Sequence, residues 1–183
     1  MVSLTALMGF LLFSSGTPVT VEASKAPVVP TYPVTLTAYN AVEAQTDSTP
    51  FETSSGAYSN PEVIAARSQD LRDELPFGTI IEIDGSNALK EKCGYSVVAP
   101  FIGYRVIADA MNPRYTDRID VLLSTKAEYA TTDKGMKNAA EILGICKGVT
   151  IRVVGRLSIK DIPRTQLELA SLVTGTSANL ALR

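Results

Sequence analysis

The chain has 183 residues, of which 45% are hydrophobic and 20% are charged, and its formal net charge is −2. This length and balance predict one globular domain with additional segments at its ends. The Lys and Arg residues are scattered and form no stripe that could follow a phosphate backbone, so the charge pattern argues against nucleic acid as a partner.

The sequence contains no histidine. This absence excludes Ser-His-Asp and Cys-His nucleophilic mechanisms, histidine-ligated zinc and a histidine general base. If the protein is an enzyme that transfers protons, carboxylates are the natural carriers, because Lys and Tyr would need large pKa shifts near neutral pH. The sequence gives no indication of a metal or of another cofactor.

The N-terminal segment has features of a secretory signal peptide. Residues 4–13 form an apolar stretch that is too short to span a bilayer, and Val21-Glu22-Ala23 places small residues where a signal peptidase cleaves. We therefore expect residues 1–23 to direct secretion to the periplasm or cell wall. The segment before the apolar stretch has no Lys or Arg, so an uncleaved membrane anchor is the alternative.

Cys93 and Cys146 are the two cysteines of the chain. An even pair in an exported protein predicts a disulfide bond. The alternative is two unpaired thiols, one of them buried near the end of a helix.

The chain order of the predicted elements begins with an extended spacer. Residues 24–33 contain three prolines, and a domain is expected to follow at residues 34–157. Within it, short segments rich in β-branched residues predict strands at 34–39, 63–66, 79–83, 95–98, 104–108, 118–123 and 149–153.

The remaining segments of the chain predict a loop, one helical region and a tail. Residues 45–60 are rich in Ser, Thr, Gly and Pro and predict a loop, while residues 124–143 predict a helical region that Gly144 would cap. Residues 158–183 have a weak helical pattern and are expected to pack loosely. Many short strands with one helical region favour a mainly β fold, a small barrel, over a parallel α/β sheet.

Asp109 and Asp120 are the candidate chemical groups, because each has apolar neighbours at or within a predicted strand. A carboxylate among apolar side chains loses hydration and its pKa rises, which is what a general acid for glycosidic cleavage requires. Aspartates at strand ends also commonly make turn or backbone hydrogen bonds, which is the alternative role.

Four motifs resemble one known family in order and spacing. They are Thr37-Ala38-Tyr39, Ile64-Ala65-Ala66-Arg67, Pro76-Phe77-Gly78-Thr79, and Asp109 followed by Arg118-Ile119-Asp120. Together they resemble the three-aspartate (3D) domain family, which also forms the C-terminal part of membrane-bound lytic transglycosylase A. Two features differ: Arg67 stands where the family has its first aspartate, and Met111-Asn112-Pro113-Arg114-Tyr115 replaces a glycine-rich link.

The resemblance implies a six-stranded double-psi β-barrel with a groove across one face. It also implies a peptidoglycan lytic transglycosylase in which Asp120 is the general acid and base and Asp109 tunes it. We expect substrate contacts from a tyrosine ring, two hydroxyl groups, a loop carboxylate near the site and a cation for anionic groups. These are Tyr39, Thr37, Thr53, Asp47 and Arg114. Strand packing, local turn bonds or solvent contact are their alternative roles.

Two other function classes stay open at this stage. One is a non-catalytic, expansin-like module that binds cell-wall polysaccharide, and the other is a small secreted interaction domain. Because function resides in the groove, fold resemblance alone does not separate them. We expect a monomer whose partner is the glycan strands of peptidoglycan.

Overall fold

The computed structural model describes residues 29–88, 93–132 and 135–181, with side chains as far as residue 175 in the last helix. The predicted signal peptide, residues 1–23, and the first part of the predicted spacer lie outside these ranges. No helix in the described ranges is long and apolar enough to cross a membrane.

Eight strands and three α-helices are described, in the following order along the chain. The strands are β1 (Thr31–Tyr39), β2 (Ile64–Arg67), β3 (Thr79–Asp84), β4 (Arg105–Ala110), β5 (Arg118–Leu122), β6 (Glu128–Thr131), β7 (Gly135–Asn138) and β8 (Cys146–Arg156). The helices are α1 (Tyr95–Val98), α2 (Ala139–Leu143) and α3 (Gln166–Ala181), and short 3-10 turns lie at Gln69–Leu71, Ala99–Phe101 and Ile159–Asp161.

Six of the strands close into a barrel in the order β1-β5-β2-β4-β3-β8. Two of its pairs, β1–β5 and β2–β4, are parallel, and the other four pairs are antiparallel. The predicted mainly β fold with a six-stranded barrel is thereby confirmed. β1 begins at Thr31 rather than at residue 34, because Thr31, Tyr32 and Pro33 already pair with β8.

Strand alternation divides the buried side chains into two clusters. One contains Leu36, Ile107, Ile119 and Val121, and the other contains Ile64, Val106, Leu122 and Leu169, all of them fully buried. In β5 the residues Ile119 and Val121 face the first cluster, and Asp120 and Leu122 therefore face the opposite side.

Arg105 is a fully buried cation that joins several segments of the barrel. Its guanidinium donates hydrogen bonds to the backbone carbonyls of Pro61, Ile64, Phe101, Ile102 and Leu122. Burial lowers the pKa of Arg105 to about 9. Backbone carbonyl dipoles rather than a carboxylate thus compensate the buried charge. The same hydrogen bonds hold the chain segments around β2 and β5 together.

Cys93 and Cys146 form the predicted disulfide, with their Cα atoms 5.4 Å apart. The bond joins the segment before α1 to the first residue of β8. Gly94 next to it donates a backbone hydrogen bond to Leu143 at 3.1 Å, which fastens the same segment to the end of α2.

Two secondary-structure predictions are wrong. Residues 95–98 form the helical turn α1 rather than a strand, because Tyr95 and Val98 pack inward and a 3-10 turn that contains Pro100 follows directly at Ala99. A short apolar run does not distinguish the two structures by period alone.

Residues 124–143 were expected to be one helical region, but they contain the hairpin β6–β7 followed by the short helix α2. Gly135, at φ +68°, begins β7, and Asn138 caps α2 by accepting a hydrogen bond from the Ala140 amide at 3.0 Å. Gly144 is the C-cap of α2, as predicted, but with φ +63° and ψ −135° its backbone is not in the predicted left-handed helical conformation.

The C-terminal segment packs more firmly than expected. It forms α3, in which Leu169 is fully buried and Val173 is 6% exposed, both within the second cluster. The Gln166 side chain also accepts a hydrogen bond from the Tyr104 amide and donates one to its carbonyl, at 3.1 and 2.7 Å. The prediction of loose packing is therefore wrong for the first part of this segment.

Leu169→Ala is expected to lower the free energy of unfolding by about 2–5 kcal/mol, because it leaves a cavity under α3. Leu167→Ala is the matched control, since Leu167 lies in the same helix and is 78% exposed; its expected effect is within about 0.5 kcal/mol. Urea denaturation of both variants measures the difference, and equal effects would contradict the docking of α3.

Candidate functional site

Four neighbouring strands of the barrel contribute one row of residues. Thr37 on β1 pairs with Asp120 on β5, and Asp120 pairs with Ala66 on β2. A register shift in the β2–β4 ladder then places Asp109, rather than Ala108, opposite Ala66. Because paired residues project to the same face of a sheet, the shift brings both aspartates to one face, with the small Ala66 side chain between them.

An open cleft of about 930 Å³ lies over this row. Its lining comes from the strands, from the segment between β1 and β2, and from the link between β4 and β5. The lining residues are Ala38, Tyr39, Ala44, Gln45, Thr46, Asp47, Thr49, Pro50, Glu52, Thr53, Ser54, Ser59, Ala66, Asp109, Ala110, Met111, Asn112, Arg114, Tyr115 and Asp120.

The cleft therefore brings together the predicted site residues with one exception. Thr37 belongs to the row beside Asp120 but does not line the cleft.

Asp120 is half-buried, and its Oδ1 atom has no hydrogen-bond partner among the described residues. Burial raises the pKa of Asp120 from the ordinary value of 3.8 to about 6. The Thr37 hydroxyl and the Arg118 charge lower this pKa and the Asp109 charge raises it, but burial dominates. The Thr37 hydroxyl makes no hydrogen bond of normal geometry, so we regard its contribution as weak. A carboxyl group with such a pKa can both give and accept a proton near neutral pH.

Asp109 has a different environment, because hydrogen-bond donors surround its carboxylate. Its Oδ2 accepts from the Tyr39 hydroxyl at 2.9 Å, and its Oδ1 accepts from the Ser54 amide, the Ser54 hydroxyl and the Ala110 amide at 2.9, 2.7 and 2.9 Å. An ionised carboxylate is an acceptor only and can take all four bonds. Asp109 thus positions its neighbours and places a negative charge beside Asp120.

Tyr39 lies at the end of β1 with 8% of its surface exposed. Burial, together with the charge of Asp109 and the hydrogen bond to it, raises the pKa of Tyr39 well above its ordinary value of 10.0. Its hydroxyl therefore stays protonated as a donor to Asp109. So little of the ring is exposed that it offers a small area for the predicted sugar stacking.

Thr53 and Asp47 line the cleft, but their polar atoms serve the loop between β1 and β2. The Thr53 hydroxyl accepts from the Ala57 amide at 3.1 Å and interacts with the Ser55 hydroxyl at 3.0 Å. Asp47 Oδ1 accepts from the Thr49 amide and hydroxyl at 2.8 and 2.9 Å, and these bonds lower the pKa of Asp47. Both residues make local turn bonds, which was the alternative role considered for Thr53, and Asp47 does lie at the cleft.

The link between β4 and β5 carries two cations that stack on one ring. The guanidinium carbons of Arg114 and Arg118 lie 4.8 and 4.6 Å from the centre of the Tyr115 ring. Arg114 also donates a hydrogen bond to the Tyr115 hydroxyl at 2.8 Å. Arg114 and Tyr115 line the cleft, and Arg118 lies two residues before Asp120 on β5.

Arg67, which stands where the three-aspartate family has its first aspartate, does not line the cleft. Its side chain is buried, donates to the Leu75 carbonyl at 2.8 Å and lies 5.1 Å from the centre of the Phe77 ring. It contributes to packing on the other side of β2 from Ala66.

The sequence did not assign a role in the site to three cleft residues that shape it, namely Ser54, Ala66 and Tyr115. Ser54 supplies two of the four donors to Asp109, and the neighbouring Ser55 amide donates to the Ala108 carbonyl at 3.2 Å. The Ser-rich composition of this loop indicates a turn but does not identify the residue that reaches the distant β4 strand. Tyr115 was quoted only as part of an altered link.

Within the described ranges, no group of three or more His, Cys, Asp or Glu residues could hold a metal ion. Comparisons of the chain with family models, curated proteins and solved structures found no match.

Asp120→Asn is expected to stabilise the protein more at about pH 8 than at about pH 4. The pKa of Asp120 is raised on folding, so between pH 3.8 and about pH 6 the folded state holds a proton that the unfolded state releases. The wild type therefore loses stability as pH rises through this window, by at most about 3 kcal/mol, and the variant does not.

Denaturation at both pH values measures this difference, and Asp161→Asn is the control because Asp161 is exposed and does not line the cleft. A stability gain in Asp120→Asn that does not depend on pH would contradict the raised pKa.

Proposed function

We propose that the cleft cleaves peptidoglycan glycan strands as a lytic transglycosylase, with Asp120 as the single acid and base. The observation that carries this proposal is a half-buried carboxyl group with a pKa of about 6 at the floor of an open cleft. The motif spacing that resembles the three-aspartate family supports the same residue. The disulfide fits an oxidising compartment outside the cytosol, where such a substrate occurs.

In the first step, protonated Asp120 donates its proton to the oxygen between N-acetylmuramic acid and N-acetylglucosamine. The bond from this oxygen to the anomeric carbon breaks, and the N-acetylglucosamine side leaves with a free hydroxyl group. Positive charge then develops at the anomeric carbon of the muramic acid, where the Asp120 carboxylate can stabilise it.

In the second step, the ionised Asp120 takes the proton from the primary hydroxyl of the same muramic acid. That oxygen bonds to the anomeric carbon, which gives the anhydro sugar and returns Asp120 to its protonated form. Because the nucleophile belongs to the substrate, no second carboxylate has to hold a water, and Asp109 is free for its four hydrogen bonds.

A second candidate function is polysaccharide binding without turnover. The observation that favours it is Arg67, which occupies the position of the family's first aspartate and directs its charge away from the cleft. In this case the cleft would hold glycan in the manner of an expansin-like module, and Asp120 would be a contact residue only.

Asp120→Asn should abolish the release of anhydro-muropeptides from purified sacculi, because the amide can neither give nor take the required proton. Mass spectrometry of the digest detects the product, and Asp161→Asn is the matched control. Full activity of the Asn variant would remove Asp120 from the mechanism. A wild type that binds sacculi in a pull-down without releasing product would favour the binding function.

The pH profile of kcat/KM should fall as pH rises through about 6, because the first step needs Asp120 in its protonated form. Initial rates of anhydro-product release in buffers from about pH 4.5 to about pH 8 measure this limb. A rate that stays constant over this range would contradict the role of Asp120 as the acid.

A further inference from the structure

The ring of Tyr115, which lines the cleft, stacks with two guanidinium groups. One belongs to Arg114, which also lines the cleft, and the other to Arg118, which lies beside it on β5. Each guanidinium carbon is less than 5 Å from the ring centre, so the two cations lie within about 10 Å of each other, about one Debye length at ~0.1 M salt. Neighbouring like charges repel at this distance, and the repulsion favours a bound anion between or beside them.

Neither arginine has an ion-pair partner among the residues that the structure describes. Ion pairs within 4.0 Å in those ranges join Arg72 to Asp73, Lys137 to Glu141 and Arg152 to Glu82. The Arg118 Nε atom is also buried without a hydrogen-bond partner, which leaves part of its donor capacity unused. Arg114 is exposed and uses one nitrogen on the Tyr115 hydroxyl.

The other charged residues of the cleft are acids, namely Asp47, Glu52, Asp109 and Asp120. Among the described residues none of these acids lies within 4.0 Å of a nitrogen of either arginine, so they form no ion pair with the two cations. The charge of Arg118 does reach Asp120, since it lowers the pKa of that residue. Positive charge in the cleft is thus confined to the Tyr115 region.

We propose that Arg114 and Arg118, held on the Tyr115 ring, form a subsite for a carboxylate carried by the muramic acid residue. The inference rests on the proposed function for the identity of the sugar. Guanidinium groups suit this ligand because their fixed pattern of donors matches the two oxygens of a carboxylate.

This subsite determines which sugar unit of the glycan strand lies at Asp120. In peptidoglycan the acidic groups are on the muramic acid, either as its lactyl carboxylate or as carboxylates of an attached peptide, whereas N-acetylglucosamine is neutral. Arg118 is two residues from Asp120 on β5, so both side chains are on the same face of the strand. A carboxylate bound there holds the muramic acid, and not its neighbour, with its anomeric bond at Asp120.

The experiment measures binding by calorimetry in an Asp120→Asn background, which prevents turnover. Three glycan probes of equal length are compared: peptide-free peptidoglycan strands with free lactyl carboxylates, strands that bear peptides, and neutral N-acetylglucosamine oligomers. Arg114→Gln is added to this background, and Arg156→Gln serves as the control because Arg156 is exposed and does not line the cleft.

Arg114→Gln should weaken binding of a carboxylate-bearing probe by about tenfold or more and leave the neutral oligomer unchanged, because one charge-assisted hydrogen bond is lost. The control should affect none of the probes. If the lactyl carboxylate is the ligand, the loss of affinity is largest for the peptide-free strands. If a peptide carboxylate is the ligand, the loss of affinity is largest for the peptide-bearing strands.

Equal binding of acidic and neutral probes would overturn the subsite, as would equal weakening of both by Arg114→Gln or no binding of any probe. Failure of the proposed function is a separate outcome. It would appear as a wild type that releases no anhydro product, while the carboxylate preference and its dependence on Arg114 persist.

Discussion

One register shift between β2 and β4 determines the arrangement of the candidate site. Ile107 pairs with Ala65, yet Asp109 pairs with Ala66, so Ala108 is an extra residue in the ladder. Without it, Ala108 would face Ala66 and Asp109 would project elsewhere, because a slip of one residue reverses the face of every side chain. The same extra residue leaves the Ala108 carbonyl available to the Ser55 amide. The bulge thus aligns the two aspartates and anchors the loop that lines the cleft.

The two aspartates share one face of the barrel but differ in solvation. In Asp109, four hydrogen bonds from protein donors replace the bonds to water. Asp120 is also shielded from water, but its Oδ1 has no hydrogen-bond partner among the described residues. The consequence is a hydrogen-bond acceptor with four protein donors next to a carboxyl group whose pKa lies near 6.

The sequence predicted those features that depend on local patterns. The short β-branched segments, the disulfide between Cys93 and Cys146 and the cap at Gly144 all follow from residue types at fixed spacing. Asp109 and Asp120 were selected because they interrupt apolar runs, and the structure places both at the cleft.

Other features depended on contacts between distant segments and could not be derived in this way. Ser54 acts on Asp109 across 55 positions of the chain, and the bulge that makes this possible has no signature in the β4 sequence itself. Residues 124–143 contain both helix-forming and strand-forming residues. In the first part of this segment the pairing of β6 with β7 favours a hairpin over a helix. The buried cation of Arg105 is similar, because its carbonyl partners come from separate parts of the chain.

The hydrogen bonds of Ser54 to Asp109 have a consequence for how the cleft responds to change at position 109. The carboxylate is at once an electrostatic neighbour of Asp120 and the anchor of the chain segment that borders the cleft. Any replacement there alters the charge and releases this anchor together. A loss of activity in such a variant would therefore reflect a changed shape of the cleft as much as changed proton transfer. The Ser54→Ala variant separates the two effects, because it removes one hydrogen bond to Asp109 and keeps the carboxylate.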